Sequence, residues 1–406
     1  MTQNRPLHIG VALDGAGWHP AAWREPNSRP HELFSGSYWT DLAATAQRGL
    51  LDFVTVEDSL TVPGNPYVAE DPDAVDQVRA RLDAHLIAAR VAPKTQHLGL
   101  IPTITTTHTE PFHVSKALAT LDHTSRGRAG WQIKISSSAQ EAAHFGRRDV
   151  PGLDKTDREA LAKGELPAFV AELFDESADV AEAVRRLWDS WEDDAEIRDA
   201  PTRRFIDRDK LHHVDFEGRY FSVRGPSITP RPPQGQPVVT ALAHRDIAYE
   251  LAARAADLVF VTPTEANGKE VLADLEVAAD RVGRTGEPLR VYADVLVFLD
   301  ADRESGADRL ARLDALAGRE LVTDATVFTG GASALADLLQ SWQEQGFDGF
   351  RLRPGVVVDD LNSITTGLVP ELHRRGLFRT EYSETTLRGL LGLPTDVPNR
   401  YATPAA

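Results

Sequence analysis

The chain contains no cysteine among its 406 residues. This absence excludes disulfide bonds, thiolate nucleophiles, iron–sulfur clusters and cysteine-ligated zinc sites. The first residues, Met1–Pro6, lack the apolar core of a secretory signal. No apolar run reaches the roughly 18 residues that a membrane-spanning helix requires. We therefore expect a cytoplasmic protein that does not enter a membrane.

Positive charge is also in short supply. The chain has 44 lysine and arginine residues against 61 aspartate and glutamate residues, which gives a formal net charge of −17. A nucleic-acid-binding protein normally presents a basic face, and an anionic membrane surface attracts basic segments. The acidic balance argues against both kinds of partner.

The short motifs that mark common enzyme classes are absent. The sequence has no phosphate-binding P-loop, no Gly-x-Ser-x-Gly elbow, no His-Glu-x-x-His pair and no Gly-x-Gly-x-x-Gly fingerprint. The adjacent pair His212-His213 is a poor metal site, because neighbouring residues on a strand point to opposite faces. We expect no metal centre.

Short apolar runs alternate with helical patterns along the whole chain. Several of the runs are continuously apolar and β-branched, as is typical of strands buried on both faces. The candidate strands are Leu7–Leu13, Phe53–Glu57, His97–Ile104, Ala129–Ser136, Val238–Leu242, Leu258–Thr262, Leu289–Leu299 and Gly349–Leu352. The candidate helices are Ser37–Arg48, Ala74–Ala89, Pro111–Leu121, Asp179–Trp191, Ile247–Ala256, Glu265–Val282 and Ala332–Gln345.

Eight strands that alternate with helices predict a single (β/α)₈ TIM barrel over residues 1–406, with an open doubly wound sheet as the alternative. About a hundred residues, 137–237, separate the fourth and fifth strands. Such a long connection is usually functional or mobile. It is either a lid or wall of the active site or a peripheral insertion over one flank.

Polar residues stand at the carboxyl ends of three predicted strands, which is where barrel enzymes carry their active sites. Asp58 closes the second strand, a run of threonines ends the third, and Gln132, Lys134 and Ser136 share one face of the fourth. An inward-facing lysine is costly unless it is paired. The alternative interpretations are a loop-stabilising aspartate and ordinary strand threonines.

Several segments together resemble a known family. The most specific is the run Leu121–Trp131, with the pattern Leu-Asp-His-x-Ser-x-Gly-Arg-x-Gly-Trp. With the other matches it resembles the nitrilotriacetate monooxygenase (component A) branch of the bacterial luciferase-like flavin monooxygenases. The other matching segments, in chain order, are Ala22–Arg24, Asp52–Asp58, Thr105–Phe112, Arg186–Trp191, Ser227–Gly235 and Val369–Arg379.

The resemblance implies a homodimeric (β/α)₈ barrel that uses reduced FMN (FMNH₂) delivered by a separate flavin reductase. With O₂ the flavin forms a C4a-(hydro)peroxide, which oxygenates a small organic substrate. The flavin then carries the chemistry, while the protein orients it and excludes water. The alternatives are an F420-dependent oxidoreductase and a non-catalytic relative that binds flavin or another ligand through an eroded phosphate anchor.

The same resemblance implies which residues bind the flavin. By position they are Asp58, Thr105, Thr106, Gln132 and Ser136. The family binds the flavin phosphate with hydroxyls that follow the fifth strand, but the aligned run, Ala241–Ala248, lacks them. His244 and Arg245 stand there instead. We predict that they hold the phosphate by charge at the start of the next helix, the alternative being that both are surface residues.

Overall fold

The computed structural model describes residues 6–62, 74–162 and 165–402 of the chain. The strands are β1 (Ile9–Leu13), β2 (Phe53–Val56), β3 (Gly99–Thr105), β4 (Gly130–Lys134), β5 (Glu196–Asp199), β6 (Arg204–Ile206), β7 (Phe216–Glu217), β8 (Ser222–Val223), β9 (Val238–Ala243), β10 (Leu258–Val261), β11 (Arg290–Leu299), β12 (Thr326–Gly330) and β13 (Gly349–Pro354). The helices are α1 (Gly36–Arg48), α2 (Ala84–Val91), α3 (Pro111–Ser125), α4 (Ala139–Phe145), α5 (Lys155–Ala162), α6 (Ala168–Asp189), α7 (Asp246–Ala255), α8 (Gly268–Arg281), α9 (Gly306–Ala317), α10 (Ala332–Gln345), α11 (Val357–Ser363), α12 (Val369–Arg375) and α13 (Leu387–Leu390).

Eight of these strands close into a parallel barrel. Their order around the barrel is β1, β2, β3, β4, β9, β10, β11 and β13, and β13 pairs with β1 to complete the ring. Each of the eight strands predicted from the sequence is one of these barrel strands. The predicted (β/α)₈ architecture is confirmed, and the open sheet is excluded.

Among the described strands that pair with the barrel, β12 alone lies outside the sequence prediction; the strands of the two hairpins, β5–β6 and β7–β8, are not predicted either. Strand β12 pairs with β11 from Val295 to Leu299, on the side where β10 pairs with the first residues of β11. Its residues are mostly half-buried, so the segment lacks the continuous apolar pattern that marks the barrel strands.

The helix predicted over Ala74–Ala89 is wrong in its first ten residues, because α2 begins only at Ala84. The side chain of Asp83 accepts the backbone N–H of Leu86 at 2.8 Å and caps the helix. The preceding residues instead run to the mouth of the barrel, where Arg81 bonds Asp14 at 2.6 Å. This contact and the cap together set the start of the helix.

The helix predicted over Asp179–Trp191 is longer than expected, because α6 begins at Ala168. It packs between α3 and α7, in the outer layer of helices. The segment between β4 and β9 therefore supplies a barrel helix as well as the two hairpins β5–β6 and β7–β8. In the described part of the chain, no helix is both long and apolar enough to cross a bilayer.

An apolar layer closes the interior of the barrel at the amino ends of the strands. Side chains from the strands meet residues of the C-terminal segment around α13, which closes that end of the barrel. This cluster consists of Phe53, Ile101, Val238, Leu258, Phe260, Tyr292, Leu387, Leu391 and Leu393, all buried.

Above this apolar layer the interior of the barrel contains charged side chains. Asp294 on β11 accepts hydrogen bonds from two arginines of β13, from Arg351 at 2.7 and 2.5 Å and from Arg353 at 2.8 Å. All three side chains are almost completely buried. Arg353 also reaches Asp324 at 2.7 Å, and the guanidinium of Arg351 lies 3.9 Å from the ring centroid of Phe260. We call Asp294, Arg351, Arg353 and Asp324 the interior ion network.

Asp294→Asn is expected to destabilise the protein strongly. The variant removes the carboxylate that both buried arginines share, and breaking a buried ion pair by deleting one partner typically costs about 3–5 kcal/mol. Urea-induced unfolding measures the loss in the free energy of unfolding.

The matched control is Asp302→Asn, which removes the same charge from an exposed side chain. Its effect should stay within about 0.5 kcal/mol. Equal stability of the two variants would contradict a central role for Asp294.

Candidate functional site

A cavity of about 490 Å³ opens at the carboxyl end of the barrel. Its walls come from the loops after β1 and β2, from the segment before α2 and from the residues before β12. One side is aromatic and the floor is polar. The aromatic residues are Trp18, Trp23, Phe34 and Trp39, and the polar residues of the floor include Glu57, Gln132, Asp324 and Arg353. Barrel enzymes place their chemistry at this end.

Gln132 is fixed in the floor of the cavity by the interior of the barrel. Its amide oxygen accepts a hydrogen bond from Arg351 at 2.5 Å. Its amide nitrogen donates to Glu57 at 3.0 Å and to Thr103 at 2.9 Å. The position of this predicted site residue therefore depends on the buried arginine beneath it.

His244, the first predicted phosphate ligand, is joined to the interior ion network. Its Nε2 lies 3.2 Å from Asp324, and its Nδ1 lies 2.9 Å from the hydroxyl of Thr262. Burial lowers the pKa of His244, although the charge of Asp324 opposes the shift. The lowered pKa favours the neutral form of the ring. It contributes hydrogen bonds rather than positive charge.

Arg245, the second predicted phosphate ligand, occupies the N-cap position of α7. The residue is exposed and extended, and a guanidinium, which has only donors, cannot cap the N–H groups of the first turn. The positive end of α7 therefore meets a permanent cation at the carboxyl end of β9. Such a helix start favours an anionic ligand.

Asp58 lines the cavity and also stabilises the loop that follows β2. One carboxylate oxygen accepts the N–H of Ser59 at 2.7 Å, and the other accepts that of Ala84 at 2.9 Å. Burial raises the pKa of Asp58, while these two hydrogen bonds act in the opposite direction. The side chain holds the start of α2 against the cavity, which matches the loop-stabilising interpretation.

Lys134, the inward lysine of β4, lies in the wall of the cavity. Its ammonium donates to the carbonyl oxygen of Asp58 at 2.5 Å. Burial lowers the pKa of Lys134, and the nearby charge of Glu57 opposes the shift. The lysine thus ties the end of β4 to the end of β2.

Thr105, Thr106 and Ser136 lie at the same end of the barrel and are buried, but none of them lines the cavity. The hydroxyl of Thr106 donates to Ser177 on α6 at 3.1 Å. The N–H of Ser136 donates to the hydroxyl of Thr107 at 2.9 Å. These groups join the ends of β3 and β4 to each other and to α6.

The sequence prediction missed the charged residues beneath the cavity. Arg351 and Arg353 alternate along β13, so both point inward. The predicted strand ends at Leu352 and so excludes Arg353. Two charged residues in a buried strand depart from the continuous apolar pattern that predicts such strands. The signal available from the sequence was this spacing of two arginines.

The resemblance to known proteins extends over the whole chain. The family model described as luciferase-like monooxygenase matches residues 17–346. Nitrilotriacetate monooxygenase component A of Aminobacter aminovorans is 32% identical, with 97% of this chain and 98% of the relative covered. N-acetyl-S-(2-succino)cysteine monooxygenase of Bacillus subtilis (strain 168) is 30% identical, with 99% of both chains covered.

Solved structures agree with the fold. A crystal structure of the long-chain alkane monooxygenase LadA superposes with a TM-score of 0.80 at 24% identity, over 97% of this chain and 96% of that chain. The EDTA monooxygenase EmoA from Chelativorans sp. BNC1 superposes with a TM-score of 0.77 at 22% identity, over 96% of this chain and 99% of that chain. The resemblance inferred from the sequence motifs is confirmed. The chain belongs to the luciferase-like monooxygenase family.

Proposed function

We propose that this chain is the oxygenase of a two-component system in the cytoplasm. It takes reduced FMN from a separate flavin reductase and uses O₂ to oxygenate a small organic substrate. The observation that carries the proposal is the cavity at the carboxyl end of the barrel, with aromatic walls above a fixed polar floor. Membership of a monooxygenase family favours this reading over an F420-dependent oxidoreductase.

The cavity suits FMN in size and chemistry. Its volume of about 490 Å³ lies within the range of small-molecule sites, about 300–1,000 Å³. Aromatic side chains such as Trp18 and Trp23 offer apolar surface for a flat ring system. Gln132 and Lys134 line the cavity, and the ammonium of Lys134 would face the polar edge of the ring. When bound, reduced FMN would supply the electrons that activate O₂.

The predicted site residues divide by the part of the cofactor they would serve. Gln132 would hold the ring over the floor, and Asp58 would shape the wall beside it. Thr105, Thr106 and Ser136 would fix the ends of β3 and β4 around it. This division rests on their placement at one end of the barrel.

Arg245 would bind the phosphate at the start of α7. The helix end and the guanidinium both favour an anion there. His244 would act differently from Arg245, because its ring is held by Asp324 and its lowered pKa favours the neutral form. It would position the turn that carries Arg245.

The surrounding residues would protect the reaction from water. The aromatic wall covers the cavity from one side, and exclusion of water strengthens every polar contact inside it. Trp18 is held in place by the interior ion network, since the guanidinium of Arg353 lies 4.6 Å from its ring centroid.

Arg245→Ala is expected to weaken FMN binding by about 10- to 150-fold, the value of one hydrogen bond to a charged group. Riboflavin, which lacks the phosphate, should bind the variant and the wild type equally well. Fluorescence titration with FMN and riboflavin at several salt concentrations measures both affinities.

Arg254→Ala is the control, because Arg254 is exposed at the other end of the same helix. It should leave both affinities unchanged. An Arg245→Ala variant that binds FMN as tightly as the wild type, independently of salt, would rule out the phosphate assignment.

Turnover is expected to require reduced FMN, O₂ and a reductase. The chain carries no nicotinamide fingerprint, so it should not oxidise NADH with FMN alone. The measurement follows NADH and the substrate, with nitrilotriacetate and N-acetyl-S-(2-succino)cysteine as the first compounds to test. Chemically reduced FMN should replace the reductase, and rapid NADH oxidation by this chain alone would refute the two-component scheme.

We also expect a homodimer in solution, by analogy with the family. Light scattering at micromolar concentration should give twice the mass of the chain. A monomer mass across the concentration range would contradict this.

A further inference from the structure

Buried polar atoms without a hydrogen-bond partner concentrate in one place beside the cavity. Among the described residues, ten side-chain atoms have no such partner, and four of them belong to His108, Glu141 and Arg148. Buried polar groups are almost always paired in folded proteins. A concentration of unpaired ones therefore marks a candidate binding place for a polar ligand.

Arg148 presents an unused pair of donors. Its Nη1 donates to both carboxylate oxygens of Glu176 on α6, at 2.8 and 2.6 Å. Its Nε and Nη2 are buried and have no partner among the described residues. These two nitrogens form the planar fork that binds a carboxylate or a phosphate through two parallel hydrogen bonds.

His108 adds a third nitrogen. Its ring stacks on Phe145 with centroids 5.1 Å apart, and its Nε2 is also buried without a partner in the described part of the chain. Burial, together with the nearby charge of Arg148, lowers the pKa of His108. The ring is neutral at pH 7, so it can donate from Nε2 without adding charge.

One of these three residues, Glu141, lines the cavity of the proposed active site, and His108 and Arg148 lie near Glu141 in the fold. His108 follows β3, Glu141 belongs to the short helix α4, and Arg148 follows that helix. The free carboxylate oxygen of Glu141 is suited to a ligand hydroxyl or ammonium. Positive and negative groups therefore stand side by side next to the cavity.

We propose that Arg148 and His108 form an oxyanion subsite that binds a carboxylate of the substrate. The inference rests on the proposed function, which places the cofactor phosphate at the start of α7. The nitrogen pair of Arg148 is then available to bind the substrate. The two nitrogens are buried in this structure, although the Arg148 side chain as a whole is about one third exposed, so the anion reaches them only after neighbouring groups shift. A phosphate shares the same binding chemistry, and the experiment separates the two.

The experiment compares Arg148→Gln with Arg147→Gln in the full-length protein. Arg147 is the adjacent residue, and its exposed side chain pairs with Glu110 on the surface. Calorimetry measures the binding of nitrilotriacetate, citrate, inorganic phosphate, FMN and riboflavin, and the three anions are titrated both with and without FMN. Arg148→Lys is the second variant, because it keeps the charge but loses the planar fork.

We expect Arg148→Gln to bind the two carboxylates at least about tenfold more weakly than the wild type, the loss of one charged hydrogen bond. The affinity of Arg148→Lys for the carboxylates should fall between those of Arg148→Gln and the wild type, and Arg147→Gln should match the wild type. The affinity for FMN should be the same in all four proteins, and so should the affinity for riboflavin.

Three kinds of result would overturn the proposal. The first is a wild-type protein that binds none of the three anions, or an Arg148→Gln variant that binds them normally. The second is a loss for FMN but not for riboflavin or the carboxylates, which would assign the fork to the cofactor phosphate. The third is an equal loss for every ligand, which would show a purely structural arginine. Carboxylate binding that depends on Arg148 in a protein that fails to bind FMN would instead contradict the proposed function alone.

Discussion

Asp294 accepts hydrogen bonds from Arg351 and Arg353 inside a barrel that excludes water, and the candidate site depends on this interaction. Two guanidinium groups buried this deeply are tolerated only when a countercharge compensates for their lost hydration. Asp294 provides that charge from the neighbouring strand. The two arginines extend these contacts toward the cavity, because Arg351 donates a hydrogen bond to Gln132 and Arg353 donates one to Asp324. The floor of the cavity is therefore held in place by charged residues of the barrel interior.

This arrangement separates two tasks in the same cavity. The floor is rigid, because each of its polar groups is hydrogen-bonded to another buried group, and fully satisfied polar networks fix a unique geometry. The walls come from loops and from the segment before α2, the parts of a barrel that vary most between relatives. A rigid floor suits a cofactor that must be oriented, while loop-built walls suit a substrate that differs between relatives.

The sequence predicted the eight barrel strands because burial on both faces leaves a continuous apolar pattern. The same reasoning missed β12, whose residues are only half-buried, and placed a helix over residues before Ala84 that run along the cavity. Contacts between charged residues explain both the late start of α2 and the polar cavity floor that the sequence did not predict. Arg81 and the arginines of β13 bond to carboxylates that are distant in sequence, so the sequence pattern does not show these contacts. The candidate site was located by strand ends and family motifs. Its hydrogen bonds, including the one from His244 to Asp324, depend on side chains that only the fold brings together.

The central claim is that FMN binds over this floor with its phosphate at the start of α7. A crystal structure of the protein soaked with FMN tests it most directly. The account predicts density for the ring in the cavity beside Gln132 and Trp18, with the phosphate next to Arg245. Density for the flavin outside the barrel mouth, or a cavity that stays empty at saturating FMN, would contradict it.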